Sequence, residues 1–170
     1  LVGSLSDGIG DAALIGCSTA GEIATNGPGD SGVVAIAFGG DGFSVVTGCA
    51  ENASDDLRVA GASAARAIHD VDTRAHTVMM LLTDALAGDQ QDIVRGAYQE
   101  LGAAVPIVGG CAGDDLKMTR TYQFHGSRVL TNAVVSAAIS SDGPFGVGVR
   151  HGWTTVGDSM LVTRSDRNIV

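Results

Sequence analysis

The sequence predicts a layered α/β domain of the α+β kind, with mixed, largely antiparallel sheets and helices packed outside. Three observations predict it. Short apolar runs bounded by glycine-rich turns read as strands, among them 33–38 and 78–82. Two stretches, 54–69 and 89–101, carry apolar or small residues at helical spacing. The stretch 76–109 reads strand–helix–strand, which requires two parallel strands and a right-handed crossover. The other connections are short and imply antiparallel neighbours.

Taken in order, Leu14–Cys17 reads as a short buried strand running into the polar loop Ser18–Gly32. Val33–Phe38 and Phe43–Gly48, joined by Gly39-Gly40-Asp41-Gly42, read as a hairpin. Ser54 is expected to cap a helix whose Leu57, Ala60, Gly61, Ala64 and Ile68 form one face. That face is mostly small, so the helix should lie close against its neighbour. His76–Thr83 reads as a strand buried on both sides. Asp89 caps the next helix, with Ile93, Val94, Ala97, Tyr98 and Leu101 in phase and Gly102 after its end. Strands are then expected at Ile107–Gly109, Thr121–His125, Val129–Ser140, Phe145–His151 and Met160–Arg164.

Length and composition narrow the function classes. The chain has 170 residues, 45% hydrophobic and 17% charged, which suits one ordered domain. Glycine supplies 25 residues and proline only 3, without a collagen period. The net charge of −9 disfavours nucleic acid and anionic membranes as partners. No apolar run is long enough for a spanning helix. Cys17, Cys49 and Cys111 are odd in number and form no C-x-x-C, which points to free thiols in a cytoplasmic protein. The opening Leu1–Asp11 reads as the tail of an element begun upstream, so the chain is expected to be a fragment of a longer protein.

An internal repeat organises the chain. Ile15-Gly16-Cys17-Ser18-Thr19-Ala20-Gly21-Glu22 parallels Gly109-Gly110-Cys111-Ala112-Gly113-Asp114. Val33–Ala37 parallels Val134–Ile139, and Asp41-Gly42-Phe43-Ser44-Val45 parallels Asp142-Gly143-Pro144-Phe145-Gly146-Val147. The pseudo-repeats cover about residues 1–50 and 76–153. A pseudo-two-fold would bring the two Gly-Cys corners to one cleft, offering main-chain N–H groups, hydroxyls and acids to a small polar guest.

At these corners the chain resembles the FIST sensory domain, in its N-terminal half. The resemblance rests on residues 15–23, on Gly109–Asp115, and on Phe145-Gly146-Val147-Gly148-Val149-Arg150-His151-Gly152-Trp153. It implies a single sensory domain over residues 1–170, of the bacterial type. Such a domain binds a small ligand, an amino acid or related metabolite, and signals to linked or separate output domains. The alternative the resemblance carries is a haem-binding nitric-oxide sensor. His151 would be its leading axial ligand, with Cys17 and Cys111 behind it.

The candidate ligand-binding residues are Cys17, Ser18, Thr19, Gly21, Glu22, Gly110, Cys111, Gly113, Asp114, Asp115, Arg150, His151 and Trp153. Arg150 could clamp a carboxylate, and Trp153 could cover an apolar group. For each, a structural reading stands beside the binding one: turn acids bonded to nearby N–H groups, a strand-end histidine, a core tryptophan. Gly16-Cys17-Ser18-Thr19-Ala20 approximates a nucleophile elbow, but Asn26-Gly27-Pro28-Gly29 follows where a helix is needed. A Cys or Ser hydrolase is therefore the least favoured reading, and no catalytic residue is assigned. No P-loop and no zinc-ligand spacing occurs, so no metal and no cofactor is expected outside the haem alternative. An edge strand left open in such a fold invites a second copy, hence a homodimer.

Overall fold

The computed structural model describes residues 8, 10, 12–29 and 32–164. The reading of Leu1–Asp11 as the tail of a helix lies outside them but for two isolated positions. The described chain is mixed α/β and mostly antiparallel. The strands are β1 (Ile15–Cys17), β2 (Glu22–Ala24), β3 (Gly27–Gly29), β4 (Phe43–Ala50), β5 (His76–Asp84), β6 (Ile107–Ala112), β7 (Gln123–His125), β8 (Arg128–Leu130) and β9 (Val134–Ser141). The α-helices are α1 (Leu57–Ala65) and α2 (Gln90–Leu101).

Four strands form the central sheet in the order β4-β9-β5-β6. The β5–β6 pair is parallel, as the strand–helix–strand pattern requires, with Thr83 opposite Cys111. β9 is antiparallel to both its neighbours. Alternation assigns the two faces. Met79, Leu81, Val134 and Ala138 meet the helices in the main core, with Ala60, Ala64, Ile93 and Ala97. Val135, Leu130 and Ala133 form a second cluster with Ile15, Cys49 and Leu82, beneath a small sheet of order β1-β7-β8.

The small face predicted for the first helix has a specific use. A Cβ on Gly61 would lie 2.0 Å from the Ile93 carbonyl oxygen, and one on Gly96 2.0 Å from that of Arg58. Each helix thus receives the other's backbone at a glycine. Arg58 Nε donates to Asp92 Oδ1 at 2.9 Å across the same crossing. At its end, His69 meets Glu100 of α2 at 2.5 Å.

Several expectations need correction. Asp56, not Ser54, caps α1, accepting from Val59 N at 3.0 Å. Ser54 sits in a short 3-10 turn, Ala53–Asp55, where its N–H and hydroxyl bond the Asn132 side chain. Asp89 does cap α2, accepting from Gln91 N, and Gly102 follows its end at φ 70°. Val129–Ser140 is two strands. The break falls at Asn132, whose φ is 50° and whose N–H donates to buried Asp84. The hairpin of 33–38 with 43–48 does not form. β4 takes all eight residues of β9 instead, a longer ladder backed by α1. Residues 32–39 and 144–156 have no regular secondary structure and no ladder partner among the described residues, and Met160–Arg164 is not a strand. Gly146 and Gly148 weaken any strand there by supplying no side chain to pack.

Candidate functional site

The two Gly-Cys corners of the repeat meet. Ser18 leaves β1 and Gly113 leaves β6, and they are joined in both directions. Ser18 Oγ donates to the Gly113 carbonyl at 2.7 Å, and Gly113 N donates to the Ser18 carbonyl at 2.9 Å. Ser18 Oγ also accepts from Tyr122 N at 2.9 Å, while Ser18 N donates to the Tyr122 carbonyl at 2.9 Å. A Cβ at Gly113 would lie 2.9 Å from Ala20 N, so only glycine permits this approach beside Thr19 and Ala20.

The bonds decide what each side chain can offer. The Ser18 hydroxyl is engaged as donor and acceptor in joining the corners. Asp114 accepts from Met118 N, Thr119 N, Thr119 Oγ1 and Arg120 N. The amides of Thr119 and Arg120 hold its carboxyl below the ordinary carboxylate range. These bonds keep residues 115–118 in a sharp loop in which Asp115, Leu116 and Met118 all have positive φ. Asp115 pairs only with Lys117, at 3.3 Å on the surface. Asp114 therefore holds its own loop, the structural role weighed for it from sequence. Glu22 lies in the β2–β3 hairpin, with Oε1 against Gly29 and Gly32, and Gly21 precedes it with φ 134°.

Cys17 is half buried, and burial, then the neighbouring Cys111, push its thiol up. A thiol so shifted is a poor nucleophile. The element after this corner is β2, not a helix, so no nucleophile elbow is built.

A cavity of about 230 Å³ opens beside the junction, between α2 and the outer edge of β6. Thr83, Gln90, Tyr98, Gly110 and Cys111 supply its polar groups, over an apolar floor that includes Leu81, Val94 and Ile107. The Thr83 hydroxyl donates to Gln90 Oε1 at 2.6 Å and lies 3.4 Å from Cys111 Sγ. Gln90 Nε2 donates to the Asp84 and Gly88 carbonyls, which fixes the amide. Among the described residues β6 has no strand on its outer side, so main-chain groups of its edge face solvent here.

Of the predicted residues, then, Cys17, Ser18, Thr19 and Gly113 are brought together at the junction. Gly110 and Cys111 line the cavity next to it. Arg150, His151 and Trp153 are not brought there. They lie on exposed chain, Trp153 at 87% exposure, and line neither this cavity nor a second one on the other face of the central sheet. Thr83, Gln90 and Tyr98 were missed. One signal could have found Thr83: it ends the first strand of a parallel β-α-β unit, where open α/β sheets place ligands.

The described residues hold no group of three side chains suited to a metal ion. No histidine lines either of these two cavities, and His151 lies on exposed chain. No described helix is long and apolar enough to cross a membrane.

No curated protein and no solved structure matches this chain. One family does match: the FIST N domain, over residues 1–170. The chain therefore belongs to the FIST N domain family, a family of sensory domains in signal transduction.

Proposed function

We propose that this domain senses an amino acid or a closely related small metabolite in the cavity beside β6, and that it does so without chemical turnover. The observation that carries the reading is the placement of that cavity. It runs along the unpaired edge of β6 from Ile107 to Cys111, against Leu81 and Thr83 of β5, and reaches the junction of the corners at its Cys111 end. Its volume of about 230 Å³ is below the roughly 300–1,000 Å³ of drug-sized pockets, which suits a small metabolite. The lining contains no charged side chain. Ammonium and carboxylate groups would be held by main-chain groups of the β6 edge, and an apolar side chain would rest on Leu81, Val94 and Ile107. Gly110, Cys111, Thr83, Gln90 and Tyr98 are the binding residues in this reading. Ser18 and Gly113 transmit occupancy to the β1-β7-β8 sheet.

The three free thiols favour a reducing, cytoplasmic setting. Output domains, linked or separate, would read the state of the junction, and a second copy could cover the β6 edge. A thermal-shift screen against the common amino acids and their small derivatives tests the ligand class, because a ligand of the folded state must raise its stability. A concentration-dependent rise that is lost in Gln90→Leu supports the reading. Absence of any rise across the set overturns it.

A further inference from the structure

A second apolar surface is not absorbed by this reading. On the face of the central sheet away from the helices, Val45, Val78, Met80, Val108 and Ile139 floor a groove of about 250 Å³. Its remaining walls include Phe38, Phe145 and Val147, from the two irregular segments that have no ladder partner among the described residues. Those segments expose much apolar surface, with Phe38 at 71%, Ile36 at 75% and Val149 at 77%.

Both segments leave the sheet at one point. The β4–β9 ladder ends at Phe43 opposite Ser141, and Asp142 N still donates to the Gly42 carbonyl at 3.0 Å. One chain runs back from there through Gly40 and Gly39, the other forward through Gly143. Aligning Val33 with Val134 and Phe43 with Phe145 in the internal repeat relates the two segments. Residues 33–38 correspond to β9, and 145–151 correspond to β4. In the sheet, Val45 stands opposite Ile139 and Thr47 opposite Ala137. The symmetric pairs are Val147 with Phe38 and Val149 with Ile36.

An independent feature agrees with that register. Phe38, Ile36 and Val34 alternate with alanines, and Phe145, Val147 and Val149 alternate with Gly146 and Gly148. The symmetric register puts all six large residues on one side of a two-stranded ribbon, and a one-residue slip would divide them between the faces.

We propose that 33–38 and 145–151 pair antiparallel as a strap that closes over this groove, with Val147 opposite Phe38 and Val149 opposite Ile36. Closure lays the apolar side of the ribbon on Val45, Val78, Met80, Val108 and Ile139, and leaves Arg150 on the outer side. The strap is a second packing of segments already seated at the groove's rim, the kind of two-state element a sensory domain uses to report. It rests on the repeat and the sheet geometry, not on the ligand reading, so either can fail alone.

The test is cross-strand disulfide trapping. Directly opposed residues in an antiparallel pair lie within the roughly 4.4–6.8 Å between Cα atoms that a disulfide spans. Ile36→Cys with Val149→Cys is compared with Ile36→Cys with Gly148→Cys under mild oxidation, and products are mapped by peptide mass spectrometry. The opposed pair is expected to cross-link about tenfold faster or more, because the offset pair points to opposite faces. Hydrogen exchange on the unsubstituted chain gives a second readout, with slowed amides in both 33–38 and 145–151. Equal trapping rates, or free exchange in both segments, overturns the proposal.

Discussion

Ser18 and Gly113, 95 positions apart, hold each other by two hydrogen bonds, Oγ to carbonyl at 2.7 Å and N–H to carbonyl at 2.9 Å. This pair turns two similar strand ends into one junction. It also ties the small β1-β7-β8 sheet to the central sheet, through the Tyr122 bonds on the same serine.

Removing the hydroxyl should loosen that junction. Ser18→Ala leaves Tyr122 N and the Gly113 carbonyl without their partner. The expected loss is about 0.5–1.5 kcal/mol of stability, read by urea unfolding with an unchanged slope. A variant as stable as the parent would show that the corners are held elsewhere.

The helix crossing should tolerate no side chain. Gly61→Ala drives a methyl into the Ile93 carbonyl, so α1 and α2 must separate. A loss of about 3 kcal/mol or more is expected, at the upper end of overpacking. Calorimetry on Gly61→Ala and Gly96→Ala checks it, and the two should resemble each other.

Asp84 is buried and accepts from Leu86 N and Asn132 N, each at 2.8 Å. Asp84→Ala strands both donors where β5 ends and where β8 and β9 separate. The expected cost is about 2–4 kcal/mol. Amide exchange should quicken at Asn132 and Ala53, which bonds the Asn132 carbonyl.

The loop held by Asp114 should be pH-dependent in one direction. Its folded carboxyl is depressed below the unfolded value of about 3.9, so the contribution is present above that value and lost as pH falls through the folded value. NMR of the Thr119 and Arg120 amides should show them released only in strong acid, and released at neutral pH in Asp114→Ala. Amides unmoved by the substitution would mean the loop is held by its backbone alone.

Thiol reactivity should follow exposure. Cys111 lines the open cavity, while burial pushes the Cys17 thiol up. Alkylation is expected at Cys111 first and at Cys17 slowest. A ligand in the cavity should protect Cys111 alone.

Much of the fold was legible in the residues. The caps at Asp89 and Gly102, the helical spacing after it and the strand–helix–strand run are local signals, and each survives in the structure. The two Gly-Cys motifs were legible too, and the structure brings their corners together. Where the reading failed, distance in sequence explains it. The hairpin of 33–38 with 43–48 was the nearest pairing, yet β4 gains more from β9, almost a hundred residues away, because that ladder lies against α1. Ser54 lost the cap to Asp56 because Asn132 claims it from across the fold.

By themselves, then, the residues determined the two helices, the strand–helix–strand run, the Gly-Cys corners and the small helix face, because period, caps and glycine placement act within a few positions. Only the tertiary structure decided that Ser18 is occupied by Gly113 and Tyr122, that Thr83 and Gln90 stand at the cavity, and that His151 and Trp153 stand away from it. Those outcomes depend on which chain segments become neighbours, and no local spacing carries that information.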